Sequence, residues 1–256
     1  MQQNRWSLAG KKAVVTGGSK GIGEAIVKEF IALGADVLAV ARKTEDLQQL
    51  LQQYPEGLHI LAADVSTPEG RQTLIDTVQQ KWDKLDILVN NVGTNIRKPA
   101  TAYTSEEYDF ILNTNLRSAF ELCRLLHPML VKSEQGNIIN ITSVAGLVHV
   151  RTGAVYGMTK AALVQLTRNL AAEWAEHNIR VNAVAPWYIS TPLAQTVLQN
   201  PEYYEAVISR TPMRKIGKPE DVSAAVAFLS MPASAYTTGQ CLAIDGGFTI
   251  NGFHPL

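Results

Sequence analysis

Short, nearly continuous apolar runs alternate along this chain with longer stretches in which apolar residues recur every three or four positions. The runs are Ala13–Val15, Val37–Val40, Ile60–Ala63, Ile87–Val89, Ile138–Ile141, Val181–Val184 and Cys241–Ile244. Between them lie Ile22–Leu33, where Ile22, Ile26, Phe30 and Leu33 fall on one helical face, then Thr44–Gln53, Pro68–Trp82, Glu106–Val131, Ala154–Trp174 and Pro219–Leu229. Apolar runs without polar alternation are strands buried on both faces, and helices between them provide the cover. The pattern predicts an α/β fold: one doubly wound parallel sheet with helices on both faces, as a single domain over residues 1–256. No linker, low-complexity tract or internal repeat divides it. One stretch fits neither class. Residues 187–214 combine bulky apolar side chains with Pro192, Pro201 and Pro212 but show no strand pattern, and are expected to form a lid over the strand ends.

Composition narrows the setting. Lys plus Arg and Asp plus Glu each total 23, so no net field favours nucleic acid or a membrane surface. No apolar run reaches the length of a membrane span, and the first residues carry no apolar core of a signal peptide. Cys123 and Cys241 stand in apolar surroundings without metal-ligand spacing, which fits reduced thiols and a cytoplasmic location. His149 has no plausible partner set, so no catalytic metal is expected.

Candidate chemistry begins at the first turn. TGGSKGIG, with Gly17, Ser19, Lys20, Gly21, Ile22 and Gly23, follows a strand and opens a helix. This is the place in a Rossmann-type βαβ unit where backbone N–H groups and a helix N-terminus meet a pyrophosphate. The spacing departs from GxGxxG, and a structural glycine turn is the competing reading. The second strand ends Val40-Ala41-Arg42-Lys43, with no carboxylate at position 41 to bind a ribose 2′-hydroxyl. Lys20 and Arg42 instead suit a 2′-phosphate, which points to NADP(H).

Tyr156 and Lys160 stand four apart, one turn from each other on a helix. An ammonium at roughly 5 Å favours a phenolate by about 3 kcal/mol at an effective dielectric near 20. That would bring a phenol of reference pKa near 10 into working range for proton transfer. A surface tyrosine beside a surface lysine has the same spacing.

Taken in order, TGGSKGIG, Asp64-Val65, Asn90-Asn91-Val92-Gly93, Asn115, Ser143, Tyr156-x-x-x-Lys160 and Ile244-Asp245-Gly246-Gly247 make the chain resemble the short-chain dehydrogenase/reductase family from about Leu8 to Phe253. NNVGTNIRKP, APWYISTPL and DGGFTINGF are similar to its tropinone reductase-like members. The resemblance implies an oxidoreductase interconverting a carbonyl and an alcohol. Tyr156 would be the general acid or base, Lys160 its electrostatic partner and a ribose contact, and Ser143 a donor to the same oxygen. Asn115 would hold a water of a proton relay. Asp64 and Val65 would meet the adenine, Asn91, Ile189 and Thr191 would complete the nicotinamide end, and Gly93 would also bind the cofactor. Where many relatives place glycine, this chain has Trp187. Val148, Val150, Trp187, Tyr188 and Leu193 are candidates for an apolar substrate pocket, while Arg97, His149 and Arg151 are either polar readers or exposed loop charges. The partners expected are a small carbonyl or alcohol and further copies of the chain. A homodimer or homotetramer would pair the Ala154–Trp174 helix, which is apolar on more than one face. An NADP(H)-binding sensor or scaffold without turnover is the alternative on the same fold.

Overall fold

The computed structural model describes residues 4–252, so Phe253 lies outside the described residues. All seven strands form: β1 Lys12–Thr16, β2 Asp36–Ala41, β3 Leu58–Ala62, β4 Ile87–Asn90, β5 Gly136–Ile141, β6 Ile179–Pro186 and β7 Cys241–Ile244. Every pairing is parallel and the order is β3-β2-β1-β4-β5-β6-β7. The pleat divides the core. Ala13, Val15, Val37 and Ala39 face one layer, packed under α1 (Gly21–Ala32), α2 (Thr44–Gln53) and α9 (Pro219–Ser230). Val14, Leu38 and Val40 face the other, under α3 (Pro68–Lys81), α5 (Ser118–Val131) and α6 (Ala154–Glu173). Period-two side chains buried on both sides are what the unbroken apolar runs required.

Two segments differ from the periodicity. Glu106–Val131 reads as one helix but is two, α4 (Ser105–Leu112) and α5, joined by a π-helical turn over Asn113–Arg117. Each widened turn adds one residue, too little to disturb a 3.6-residue pattern visibly. The proposed lid holds two short helices, α7 (Pro192–Leu198) and α8 (Pro201–Arg210). Each begins with proline in its first turn behind an N-cap, Thr191 or Asn200, whose side chain accepts from a backbone N–H. The two cysteines are free, and burial pushes the Cys123 thiol up to about 12.

Candidate active site

In a parallel sheet the strands end together, and the chain reversal between β1 and β4 opens a crevice there. A cleft of about 570 Å³ occupies that crevice. Along its floor come the residues just past the first six strands: Gly17 after β1, Arg42 after β2, Asp64 and Val65 after β3, Asn91 and Gly93 after β4, Ser143 after β5, and Trp187, Tyr188 and Ile189 after β6. Ser19, Lys20, Gly21, Ile22, Gly23, Val150, Tyr156, Lys160, Thr191 and Leu193 also line it. Val148, His149, Arg151 and Asn115 do not.

The glycine turn is built for a close approach. A Cβ at Gly23 would fall 2.0 Å from the Gly17 carbonyl oxygen, so α1 can start this close to β1 only with glycine there. Lys20 occupies the N-cap of α1 without a side-chain cap, which leaves the first-turn N–H groups facing the cleft end without a side-chain acceptor. This donor set fits a pyrophosphate. The Asn91 amide donates to Thr16 O and Gly17 O at 3.0 and 3.1 Å and braces the turn, while the residue also lines the cleft. Asp64 accepts from the backbone N–H and hydroxyl of Ser66.

The charge pattern around the second strand is less simple than the sequence implied. Arg42 is exposed and faces no carboxylate among the described residues, whereas Lys20 pairs with Asp46 at 3.0 Å. Asp46 sits in the first turn of α2, lines the cleft, and supplies the acid that the strand end lacks. Sequence reasoning missed it because only the β2–α2 connection brings it alongside Lys20.

At the other end, α6 presses against the turn that carries Ser143. Glycine permits this too: a Cβ at Gly146 would lie 2.6 Å from the Lys160 carbonyl carbon. The Lys160 ammonium is buried, donates to Ile141 O at 2.9 Å, and lies 5.7 Å from the centre of the Tyr156 ring. Burial pushes its pKa down to about 8. Burial also raises the Tyr156 phenol, against a downward pull from a hydrogen bond with Ser143 and from the charge of Arg97. The expected depression of Tyr156 by Lys160 is therefore corrected in the protein alone. Both groups are desolvated; for Tyr156 the loss of water outweighs the pull of Ser143 and Arg97, and for Lys160 it is the cause of the shift.

The Asn115 side chain is engaged within the protein. The π turn points it inward, fully buried, where it accepts from Thr94 N at 2.8 Å and donates to Thr94 O and Thr159 Oγ at 2.9 and 3.2 Å. Its amide ties the loop after β4 to α6, so a water held there would need its main chain. Trp187 stacks on Phe248 with ring centres 3.7 Å apart, and its indole donates to Thr211 at 3.1 Å. Trp187 thus anchors the lid as well as lining the cleft. Among the described residues no cluster of three or more metal-ligating side chains occurs, and no helix is long and apolar enough to cross a membrane.

A family model described as enoyl-(acyl carrier protein) reductase, of the short-chain dehydrogenase/reductase class, matches residues 17–249. The chain belongs to the short-chain dehydrogenase/reductase family. It is 53% identical to a tropinone reductase homolog of Arabidopsis thaliana over 253 residues, 97% of this chain and 96% of that one. It is 49% identical to a chloroplastic tropinone reductase homolog of the same plant, covering 99% of this chain and 80% of that one. Among solved structures, a gluconate 5-dehydrogenase from Burkholderia cenocepacia in complex with NADP and tartrate superposes with a TM-score of 0.91. That pair shares 29% identity and covers 96% of this chain and 98% of that chain. As a short-chain dehydrogenase/reductase the protein is an NAD(P)-dependent oxidoreductase acting on CH–OH and C=O groups of small molecules.

Proposed function

We propose that this protein is an NADP(H)-dependent carbonyl reductase, reversible to alcohol oxidation, in which Tyr156 transfers the proton. The reading rests on one observation: Ser143, Tyr156 and Lys160 converge on the cleft whose far end is the uncapped glycine turn. When bound, NADP(H) supplies or accepts the hydride at the carbonyl carbon. Gly17 to Gly23 would hold the pyrophosphate, Arg42 and Lys20 the 2′-phosphate, Asp64 and Val65 the adenine, and Lys160 the nicotinamide ribose. Tyr156 gives its proton to the carbonyl oxygen while Ser143 donates a hydrogen bond to the same atom. A phenol held above its ordinary pKa remains protonated at neutral pH, the form that reduction needs. Lys160, at about 8, can return a proton near neutrality. Asn115 acts by position, keeping the loop after β4 against α6. Incubating the protein with NADPH and a panel of ketones and aldehydes, and following NADPH absorbance, tests the reading. Tight binding without consumption by any carbonyl would favour a sensor.

Cofactor preference gives a sharper test. Arg42→Ala should weaken NADPH about tenfold or more, since charge-assisted hydrogen bonds contribute about 1.5–3 kcal/mol, and leave NADH nearly unchanged. Asp46→Asn should do the opposite: freeing Lys20 should strengthen NADPH a few-fold, about the effect of an exposed ion pair. Fluorescence titration of both cofactors measures this, and equal changes for NADPH and NADH would refute the charge argument.

We also propose a homodimer or homotetramer in the cytoplasm. Phe110 on α4 and Phe120 on α5 are exposed, and Ala161 and Ala172 lie on the outer face of α6. Multi-angle light scattering at micromolar concentration should give two or four chain masses. A stable monomer would contradict it.

A further inference from the structure

The two halves of the cleft carry opposite electrostatic arrangements. Both acids that line it, Asp46 and Asp64, sit at the adenosine end and are engaged, with Lys20 and with Ser66. The substrate half holds no carboxylate among the described residues, yet Arg97 lines it and is exposed there. Arg97 forms no ion pair among the described residues, unlike its neighbour Lys98, which pairs with Glu107. Its charge reaches the reacting end: it pulls down on the phenols of both Tyr156 and Tyr188. Arg151 and His149 lie outside the lining. Asn95 and Thr114 line the same half, and each holds a buried oxygen with no hydrogen-bond partner among the described residues.

A guanidinium that shares the cleft with the acid–base tyrosine, hydrogen-bonded to the Tyr188 hydroxyl but without a carboxylate partner among the described residues, repels a cationic substrate and favours an anionic one. We infer that the physiological substrate is an oxo or hydroxy carboxylic acid whose carboxylate is read by Arg97 while its carbonyl meets Tyr156 and Ser143. A carboxylate is favoured over a phosphate for a geometric reason. The fork of one guanidinium matches two carboxylate oxygens, whereas a dianion calls for a second cation, and the remaining one here, Lys160, donates to Ile141 O and serves the nicotinamide ribose and Tyr156 in the reading above. Val150 and Leu193 line the cleft too, so they would cover the carbon chain between the two polar ends. The inference rests on the carbonyl reductase reading but fails separately from it.

The test uses 2-, 4- and 5-oxo carboxylic acids beside their methyl esters, assayed with NADPH and the wild type, Arg97→Gln and Arg97→Glu. Wild type should prefer at least one acid over its ester. Arg97→Gln should lower the acid-to-ester ratio of kcat/KM about 10- to 100-fold, the worth of a charge-assisted bidentate contact. Arg97→Glu should reverse the preference. Calorimetric titration of the same acids into NADP-loaded protein reads the contact without turnover, and Arg97→Gln should weaken that binding similarly. Equal losses for acid and ester would mean that Arg97 acts through Tyr156 alone and would overturn the inference. An ester preference in the wild type would overturn it too. Absence of all turnover with Arg97-dependent acid binding would instead overturn the reductase reading and leave the carboxylate site standing.

Discussion

Tyr156→Phe is expected to lower kcat for ketone reduction by about 10²- to 10⁴-fold, the usual worth of a general acid, with little change in NADPH affinity. The substitution removes one hydroxyl from a ring that stays packed in the cleft floor, so neither the glycine turn nor the Lys160 ammonium is disturbed. Ser143 remains but accepts from Ala145 N at 3.2 Å and as an alcohol is a far weaker acid than the phenol. The split between turnover and binding is the informative part. A loss of both would point to misfolding or to a structural tyrosine, and near-wild-type turnover would return the Tyr156–Lys160 pair to an ordinary helix face. Steady-state kinetics beside fluorescence titration of NADPH measures the two effects on one preparation.

Lys160→Met should inactivate the enzyme and stabilise it. A lysine taken from 10.5 to about 8 by burial costs about 3 kcal/mol of folding free energy at pH 7, at roughly 1.4 kcal/mol per pKa unit. Methionine fills a similar volume without the charge, though Ile141 O loses its donor, which returns about 1 kcal/mol. A net gain of about 2 kcal/mol is expected. The sign follows from the folded pKa lying below the unfolded one: the cost is full below pH 8 and is relieved as pH rises from about 8 to 10.5. The stability gap between variant and wild type should therefore close across that window, as urea denaturation at several pH values can measure. A destabilised variant at pH 7 would mean that the Ile141 contact outweighs the buried charge. Loss of activity with gain of stability is the mark of a group kept for function.

The central strands were legible because they are buried on both faces, which forces an unbroken apolar run; Val14 and Val15 serve opposite layers of the core, whereas the edge strands β3 and β7 are only partly covered. The candidate site was proposed from an ordered set of short motifs; the glycine turn, Asp64-Val65, Asn91-Gly93 and Ser143 fall just after strand ends, while Asn115 and Tyr156-x-x-x-Lys160 lie on helical turns. What the chain order could not show was the sign of local effects. Spacing places Lys160 near Tyr156, yet burial of both, a property of the packed sheet, decides their pKa shifts. Asp46 becomes a neighbour of Lys20, and Arg97 of two phenols, only through loop geometry. The π turn that swings Asn115 inward changes the helical count by one residue. The lid helices were a different case: Thr191-Pro192 and Asn200-Pro201 are cap-and-proline signals of helix starts, readable but masked by the absence of long periodic stretches.

The most direct test of the proposed reaction is isotope transfer from NADPH deuterated at one or the other face of nicotinamide C4, using whichever carbonyl compound the panel shows to be consumed. The product alcohol should carry one deuterium at the former carbonyl carbon from one face and none from the other, and Tyr156→Phe should abolish its formation. NADPH that binds while no deuterium reaches any product carbon would contradict the account.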